Sequence, residues 1–311
     1  MKGYDALRNK VAWLDVSGRG KIRVTGEDRA RLLHAMTTNH IEQLMPGTGC
    51  YAYFLSAQGR ILADVNVLCR PDHFLLDTEP ETREKVYQHL DKFIIADDVT
   101  LEDRTAGTAT IALEGPASAG VLKTLGAPAP ESDCGSEEWA NGLVARATVA
   151  GGPGWLLMVP VDERDSLIRR LEEAGAEAGD EEAFRTVRIE NSRPRYGEDL
   201  TERYLAQEAN QPRALHFTKG CYLGQEIVER VRSRGQVHRI LVPILLDTTV
   251  PPPSGTKLQH EGANVAEITS AAYSPALGKV IGLAYVRMEH AKAGESLELD
   301  GLRGEVADGS R

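Results

Sequence analysis

Hydrophobic and polar positions over the first 235 residues switch repeatedly between the two-residue period of strands and the longer period of amphipathic helices. Predicted strands occupy residues 21–25, 50–55, 61–68, 74–76, 110–113, 143–149 and 155–159. Predicted helices occupy residues 27–36, a stretch opened by a capping box at 78–81 and carrying Val86, Leu90 and Phe93, a stretch after Gly115-Pro116, and residues 163–174, 181–191 and 225–234. This mixture predicts an α+β region that spans residues 1–235 and contains two sub-domains.

The pattern changes from residue 236 onward. Short apolar runs at 240–246, 265–270, 279–286 and 296–299 are separated by Gly and Pro, and no good helix occurs among them. Short, regularly punctuated strands of this kind are typical of a small barrel. We therefore predict a second domain at residues 236–311 that folds as a β-barrel.

Composition narrows the class of protein. The chain has 311 residues, of which 41% are hydrophobic and 26% charged, as in soluble globular proteins. A net charge of −10 argues against broad, non-specific binding to nucleic acid or membranes. Neither a membrane span nor a targeting segment is predicted, so we expect a cytoplasmic location.

The four cysteines, at positions 50, 69, 134 and 221, have no spacing suited to a metal, and we predict no metal site. Cys221 stands out because it precedes a predicted helix and lies two residues after Lys219. A helix N-terminus and a nearby ammonium both stabilise a thiolate, so Cys221 is the candidate reactive thiol. The alternative is a packed thiol in a turn bounded by Gly220 and Gly224.

Two acidic residues are candidate ligand-binding groups. Strand alternation places Asp64 and Asn66 on the same sheet face, where a carboxylate needs a partner. Glu190 shares the inward stripe of its helix with Phe184 and Val187, which also favours a bound partner with donor groups. The alternatives are an Asp64 bonded to a neighbouring loop and a Glu190 paired with Arg193 or another nearby arginine.

A basic run follows Cys221. Arg230, Arg232 and Arg234 lie close together, which favours either an anion site for a polyglutamate tail or RNA, or a solvated helix end.

A glycine-rich charged turn, residues 17–21, precedes a predicted strand. A phosphate loop would precede a helix, so this turn is interpreted as structural.

Four sequence blocks carry a family resemblance. They are Leu32-Leu33-His34-Ala35-Met36-Thr37-Thr38-Asn39, Gly59-Arg60-Ile61-Leu62-Ala63-Asp64, Lys219-Gly220-Cys221-Tyr222-Leu223-Gly224-Gln225-Glu226 and the run from Ile268 to Gly278. Together they resemble the YgfZ family, folate-binding relatives of the glycine-cleavage T protein (aminomethyltransferase). The third block resembles the YgfZ signature most closely.

The resemblance implies a fold, a ligand and a function. The family fold is a three-lobed α+β cloverleaf around a folate channel with a C-terminal β-barrel. The implied ligand is tetrahydrofolate or a one-carbon derivative, held by Asp64, Asn66 and Glu190, the last of these in an Arg-x-Glu motif. The implied function is accessory, in iron–sulfur cluster assembly or repair with iron–sulfur client proteins, and Cys221 is its thiol. The alternative is a folate-dependent aminomethyltransferase-type enzyme, and tRNA modification is a third reading.

This chain departs from the aminomethyltransferase at two places. Position 63 is Ala where that enzyme has the first Asp of a pair. The segment from Arg146 to Trp155 contains no acid, whereas the enzyme's active-site segment there does. Both departures bear on whether the carrier-protein reaction is retained.

Overall fold

The computed structural model describes residues 1–235, 237–299 and 301–308, without the side chain of Arg234. Its helices are α1 (Tyr4–Asn9), α2 (Arg29–Met36), α3 (Arg83–Asp91), α4 (Ser118–Thr124), α5 (Arg164–Glu173), α6 (Glu181–Glu190) and α7 (Gln225–Arg234). Its strands before the barrel are β1 (Ala12–Asp15), β2 (Gly20–Thr25), β3 (Gly49–Leu55), β4 (Ile61–Cys69), β5 (Phe74–Thr78), β6 (Thr100–Asp103), β7 (Thr108–Glu114), β8 (Ser136–Trp139), β9 (Gly142–Ala145), β10 (Gly154–Pro160) and β11 (Glu177–Ala178). The barrel strands are β12 (Arg239–Leu246), β13 (Lys257–His260), β14 (Ala263–Ser274), β15 (Lys279–Arg287), β16 (Ser296–Leu299) and β17 (Leu302–Val306).

Two open sheets form the α+β region. One has the strand order β3-β4-β5-β2-β6 and contains the predicted hairpin, in which Tyr53 lies opposite Asp64 and Tyr51 opposite Asn66. The other has the order β11-β1-β7-β10-β9-β8. Because side chains alternate along β4, Ala63, Val65 and Val67 enter one hydrophobic core while Asp64 and Asn66 point to the opposite face. That opposite face is also buried in the interior of the molecule, since Asp64 and Asn66 are only 8% and 6% exposed.

The predicted capping box at 78–81 is wrong. Thr78 is the last residue of β5 and pairs with both Val65 and Gly20, and its hydroxyl donates to the carbonyl of Glu79. A 3₁₀ turn over Pro80–Thr82 follows, so α3 begins only at Arg83. Thr78 is therefore held in the sheet by a strand on each side, and it cannot act as the N-cap of a helix.

The C-terminal strands close into a barrel in the order β12-β15-β14-β13-β16-β17 among the described residues. Its interior is filled by side chains such as Ile244, Leu258, Ile268 and Val280. The predicted fold class, an α+β cloverleaf with a C-terminal β-barrel, is confirmed. The predicted domain boundary at 235/236 falls on Gln236, which lies outside the described residues.

A candidate ligand site around Asp64

Asp64 is a buried carboxylate with an open acceptor. Asp64 is only 8% exposed. The hydroxyl of Tyr51, on the neighbouring strand, donates a hydrogen bond to Asp64 Oδ2 at 2.8 Å. Oδ1 is buried and has no hydrogen-bond partner among the described residues. An unpaired buried carboxylate oxygen is costly, and such an atom calls for a donor supplied from outside the chain.

The surroundings of Asp64 hold its proton more tightly than water would. Burial raises the pKa of the Asp64 carboxyl to about 6, and the Glu79 carboxylate acts in the same direction. The hydrogen bond from Tyr51 and the charge of Arg19 oppose this shift but do not cancel it. A carboxyl that exchanges its proton near neutral pH is suited to general acid–base work.

Asn66 lies beside Asp64 at the same small recess, so the structure brings these two predicted residues together. Its amide donates to Asp77 Oδ2 at 2.8 Å. Asp77 is fully buried and also accepts two hydrogen bonds from the Arg19 guanidinium, at 2.9 and 2.8 Å. Asn66 is therefore oriented by a buried ion pair, and its carbonyl oxygen accepts from the Cys134 thiol at 3.6 Å.

The recess opens beside a larger cleft. The recess has a volume of about 20 Å³, room for about one water molecule. The adjoining cleft measures about 400 Å³ and shares Arg19, Glu79, Val149, Arg188 and Arg195 with the recess. It also has an apolar wall made by Leu14, Val16 and Phe184. A cleft of this size, with an apolar wall and several converging charges, suits a small flat organic ligand.

Sequence reasoning missed three charged residues of this site. The sequence pattern places Arg19 in a structural turn and Glu79 in a capping box, and it does not mark Asp77. In the structure Arg19 pairs with both acids, and Arg195 adds a second contact to Glu79 at 3.1 Å. The available signal was Asp77 itself, a carboxylate within the apolar strand Phe74–Thr78.

Arg188 connects the site to the barrel. It is 2% exposed, and its Nη1 donates to Asp199 Oδ2 at 2.5 Å. The hydroxyls of Thr269 and Ser270, on β14, donate to the other oxygen of Asp199 at 2.5 and 2.7 Å. The block from Ile268 to Gly278 therefore joins the barrel to helix α6, which bears Arg188.

Glu190 is buried too, but its carboxylate is already paired. The hydroxyls of Tyr4 and Ser274 donate to Oε1 at 2.6 and 2.5 Å, and Arg8 forms a salt bridge with Oε2. The residues that line the recess and the cleft do not include Glu190. Its partners are thus α1 and the barrel, and not Arg193, whose guanidinium lies over the Tyr51 ring. The predicted folate contact of Glu190 stays a prediction.

Lys219 does not direct its charge at the neighbouring cysteine. Its Nζ donates at 2.6 Å to each of three carbonyls, those of His34, Thr37 and Asn39. Burial lowers the pKa of this lysine to about 8. The ammonium therefore satisfies carbonyls at the C-terminal end of α2, a role for which cations are well suited.

The rest of the Lys219–Glu226 motif packs on the tip of the β3–β4 hairpin. Gly224 has a φ of +86°, and a Cβ there would lie 2.7 Å from the carbonyl oxygen of Ser56, so only glycine fits. Tyr222 is buried, and Gln225 Oε1 accepts from its backbone N–H at 3.3 Å. Cys221 is exposed, whereas Cys69 and Cys134 are buried. The motif thus presents one thiol to solvent on a rigid support.

The basic run lies on the surface of α7. Arg230 donates to Glu226 at 2.6 Å, and Arg232 lies 3.5 Å from Glu229 and stacks on Phe217. Both arginine side chains are 50% exposed. The side chain of Arg234 lies outside the described residues. These pairs within one helix favour a solvated helix end.

An acid does lie beneath the segment 146–155, although the segment itself contains none. Glu114, the last residue of β7, is fully buried and accepts hydrogen bonds from the backbone N–H groups of Val149 and Ala150. Burial raises its pKa to about 7. Since Val149 lines both the recess and the cleft, Glu114 fixes one wall of the site.

Comparison with known families agrees with this architecture. Residues 2–219 match the family described as the GCVT N-terminal domain, and residues 239–308 match the glycine cleavage T-protein C-terminal barrel domain. The chain belongs to the glycine cleavage T-protein family. The finer assignment to the YgfZ branch is not distinguished by these matches.

Individual relatives are similar over nearly the whole chain. An aminomethyltransferase of Rubrobacter xylanophilus is 31% identical over 92% of this chain and 78% of its own length. A chloroplastic protein of Arabidopsis thaliana, named provisionally as a transferase, is 27% identical over 98% of this chain and 73% of its own. The crystal structure of aminomethyltransferase T of the Bartonella henselae glycine cleavage system shares the fold, with a TM-score of 0.90 at 20% identity, covering 98% of this chain and 87% of that one.

Two observations bear on cellular location. None of the helices in the described ranges has the length and apolar character needed to cross a membrane. Because one relative is named as chloroplastic, the cytoplasmic location stays a prediction.

Proposed function

We propose that this protein binds a reduced folate in the cleft beside Asp64 and acts as a folate-dependent one-carbon transferase of the aminomethyl type. The observation that carries the proposal is the buried Oδ1 of Asp64, unpaired among the described residues, in the recess that adjoins the cleft. The names of the bacterial relatives support the reaction class. The names of these relatives favour the transferase over the accessory iron–sulfur role, which we place second.

The chemistry follows from the donors and acceptors present. Asp64 Oδ1 would accept the proton that a tetrahydrofolate amine loses when it takes up a one-carbon unit, and a pKa of about 6 allows the proton to be returned. Tyr51 orients the carboxylate through Oδ2. The apolar wall of the cleft would exclude water from the ligand's ring face, and the partly exposed guanidinium of Arg195 lines the same cleft.

The test is a titration with tetrahydrofolate by calorimetry, followed by an assay of glycine-dependent methylene transfer to tetrahydrofolate. We expect binding to the intact protein, and binding weakened at least tenfold in Asp64→Asn. Asp72→Asn, which changes an exposed aspartate paired with Arg23 and His73, is the matched control and should bind normally. Unchanged affinity in Asp64→Asn would remove Asp64 from the site, and binding without any transfer would refute the enzymatic part.

The exposure of Cys221 favours a second candidate, the accessory role in iron–sulfur cluster assembly or repair. Among the four thiols, Cys221 is the exposed one, whereas Cys69 and Cys134 are buried and Cys50 is partly buried. An accessory factor needs the thiol and the folate but no turnover. Full rescue of iron–sulfur enzyme activity by Cys221→Ser, in cells that lack the endogenous homologue, would exclude this candidate.

A tRNA-modifying role has less support. It depends on the run Arg230 to Arg234, and the described pairs of Arg230 and Arg232 with glutamates on their own helix lower the positive charge available to RNA. A salt-sensitive shift of tRNA on a gel would be needed to raise it.

A further inference from the structure

Three side chains meet at one rim of the barrel, away from the folate cleft. His260 is the last residue of β13, His290 ends a 3₁₀ turn over Met288–His290, and Glu295 immediately precedes β16. Pairing of Gln259 with Glu298 brings β13 and β16 side by side, and this places the three residues together. Because they come from three separate segments, their meeting is a product of barrel closure.

The distances are those of a ligand set. The two imidazole rings lie 4.6 Å apart between centroids, and Glu295 Oε1 is 3.0 Å from His290 Nδ1 and 3.7 Å from His260 Nδ1. One ligand atom from each side chain lies within 4.8 Å of the other two. Over residues 1–235, 237–299 and 301–308, no other trio of His, Cys, Asp or Glu side chains comes this close.

The hydrogen bond of His260 to Ser296 uses Nδ1, the ring nitrogen that lies 3.7 Å from Glu295, so coordination by His260 falls to Nε2. Its Nδ1 lies 2.8 Å from the carbonyl oxygen of Ser296, a partner that can only accept, so the proton of a neutral ring is assigned to Nδ1. The Nε2 lone pair then remains available for coordination. A ring N–H donated to a backbone carbonyl is the usual way in which proteins orient a metal-binding histidine.

The surrounding charge favours a cation. The Glu295 carboxylate lies near both rings, and a further acid, Glu261, directly follows His260 in the chain. Glu289 lies 3.7 Å from His290 Nε2. The positively charged Lys292 is also near Glu295. One divalent ion at this place would attract the carboxylate and accept a lone pair from each ring.

We propose that His260, His290 and Glu295 form a binding site for a late first-row divalent metal ion, with Zn²⁺ as the best-suited member. Two imidazoles and one carboxylate are ligands that such ions accept, and a three-residue set leaves at least one position for water. The three side chains are between 21 and 28% exposed, so the ion can enter from solvent. A bound ion would tie β13 to the segment that leads into β16.

The experiment is a calorimetric titration of the full chain, freed of metal by a chelator, with Zn²⁺ at pH 7.5. We expect one equivalent to bind, and affinity to fall at least tenfold in each of His260→Gln, His290→Gln and Glu295→Gln. His73→Gln is the matched control, since His73 also contacts a carboxylate, that of Asp72, but forms no ring contact with another imidazole in the described structure. Binding should weaken as the pH falls from 7.5 to 6, because protons compete for His260.

A second readout keeps the proposal testable if a variant folds poorly. Co²⁺ added to the intact protein should give a visible absorption band of nitrogen-ligated cobalt that Zn²⁺ abolishes, and Zn²⁺ should raise the melting temperature of the intact chain but not of His260→Gln. Absence of Zn²⁺ binding to the intact protein would overturn the proposal. Equal affinity in all three variants and the control would overturn it as well. Neither outcome bears on folate binding, because the two sites share no residue.

Discussion

Asp64 and Glu190 are two buried carboxylates that the sequence marks in the same way and the structure treats differently. They are 8% and 5% exposed. Glu190 accepts from Tyr4, Arg8 and Ser274, which uses both of its oxygens. Asp64 accepts at Oδ2 from Tyr51, while its Oδ1 lacks a partner among the described residues.

The difference separates structural from functional burial. A buried charge whose hydrogen bonds are all made within the chain stabilises the fold and has little left to offer a ligand. A buried charge with one bond unmade costs stability and gains it back only when a ligand arrives. On this reasoning Glu190 joins α1 and the barrel to α6, and Asp64 is the group that we propose contacts the ligand.

The largest effect is expected from removing Glu190. Glu190→Ala should lower the free energy of unfolding by about 3–5 kcal/mol, because it breaks a buried ion pair and strands its donors. Glu177→Ala, which removes an exposed acid paired with Lys10, is the control and should change stability little. Chemical denaturation measures both.

The milder variant Glu190→Gln tests the predicted folate contact directly. Tetrahydrofolate affinity should change less in this variant than in Asp64→Asn, since Glu190 is already paired within the chain. If calorimetry instead gives equal losses in a folded Glu190→Gln, the ligand must displace Tyr4 or Arg8, and the distinction between the two carboxylates fails.

Asp64→Asn should weaken folate binding and stabilise the protein. Loss of a charge-assisted hydrogen bond should cost about 1.5–3 kcal/mol of binding free energy. The free protein should gain up to about 3 kcal/mol at pH 7, the equivalent of the two-unit rise in the pKa of Asp64. The folded form holds the proton more tightly, so the gain is full above the folded pKa of about 6 and vanishes below the ordinary value of 3.8. Denaturation at pH 4 and pH 7 measures it, and a destabilised Asp64→Asn at pH 7 would show that the carboxylate is satisfied after all.

Cys221 should be the most accessible of the four thiols and should contribute almost nothing to the stability of the fold. We expect it to be alkylated faster than Cys134 at neutral pH, because Cys134 is buried and burial raises its pKa well above the usual range. Cys221→Ser should leave the melting temperature and folate binding unchanged. Mass spectrometry of alkylated peptides over time measures the rates, and equal rates for the two cysteines would contradict the expectation.

The smallest effect is expected on the exposed face of α7. Replacing Arg230, Arg232 and Arg234 with Gln removes the exposed pairs of Arg230 and Arg232, worth about 0.3–0.5 kcal/mol each, so the melting temperature should hardly move. The predicted anion site requires a polyglutamylated folate to lose more affinity than the monoglutamate. Equal affinities in the variant and the parent would support the alternative interpretation, a solvated helix end.

Periodicity alone predicted a large part of this fold. The β3–β4 hairpin, helices α5 and α6 and the C-terminal barrel follow from runs of apolar residues, since a buried face must repeat with the period of its element. The same two-residue period put Asp64 and Asn66 on one face, and the structure places both at the recess. These inferences needed no knowledge of what lies across the face.

Only the tertiary structure decided which of the marked residues have partners. Ser274 is 84 residues from Glu190 and Tyr4 is 186, and Lys219 reaches carbonyls about 180 residues earlier in the chain. Strand β2 pairs with β5, which brings Arg19 to Asp77, and barrel closure brings His260 to His290. Hydrogen bonds and ion pairs depend on atoms a few ångströms apart, whereas a sequence pattern records only which side of an element a residue occupies. The pattern could therefore show that a charge is buried, and the assembled fold had to show whether it is satisfied.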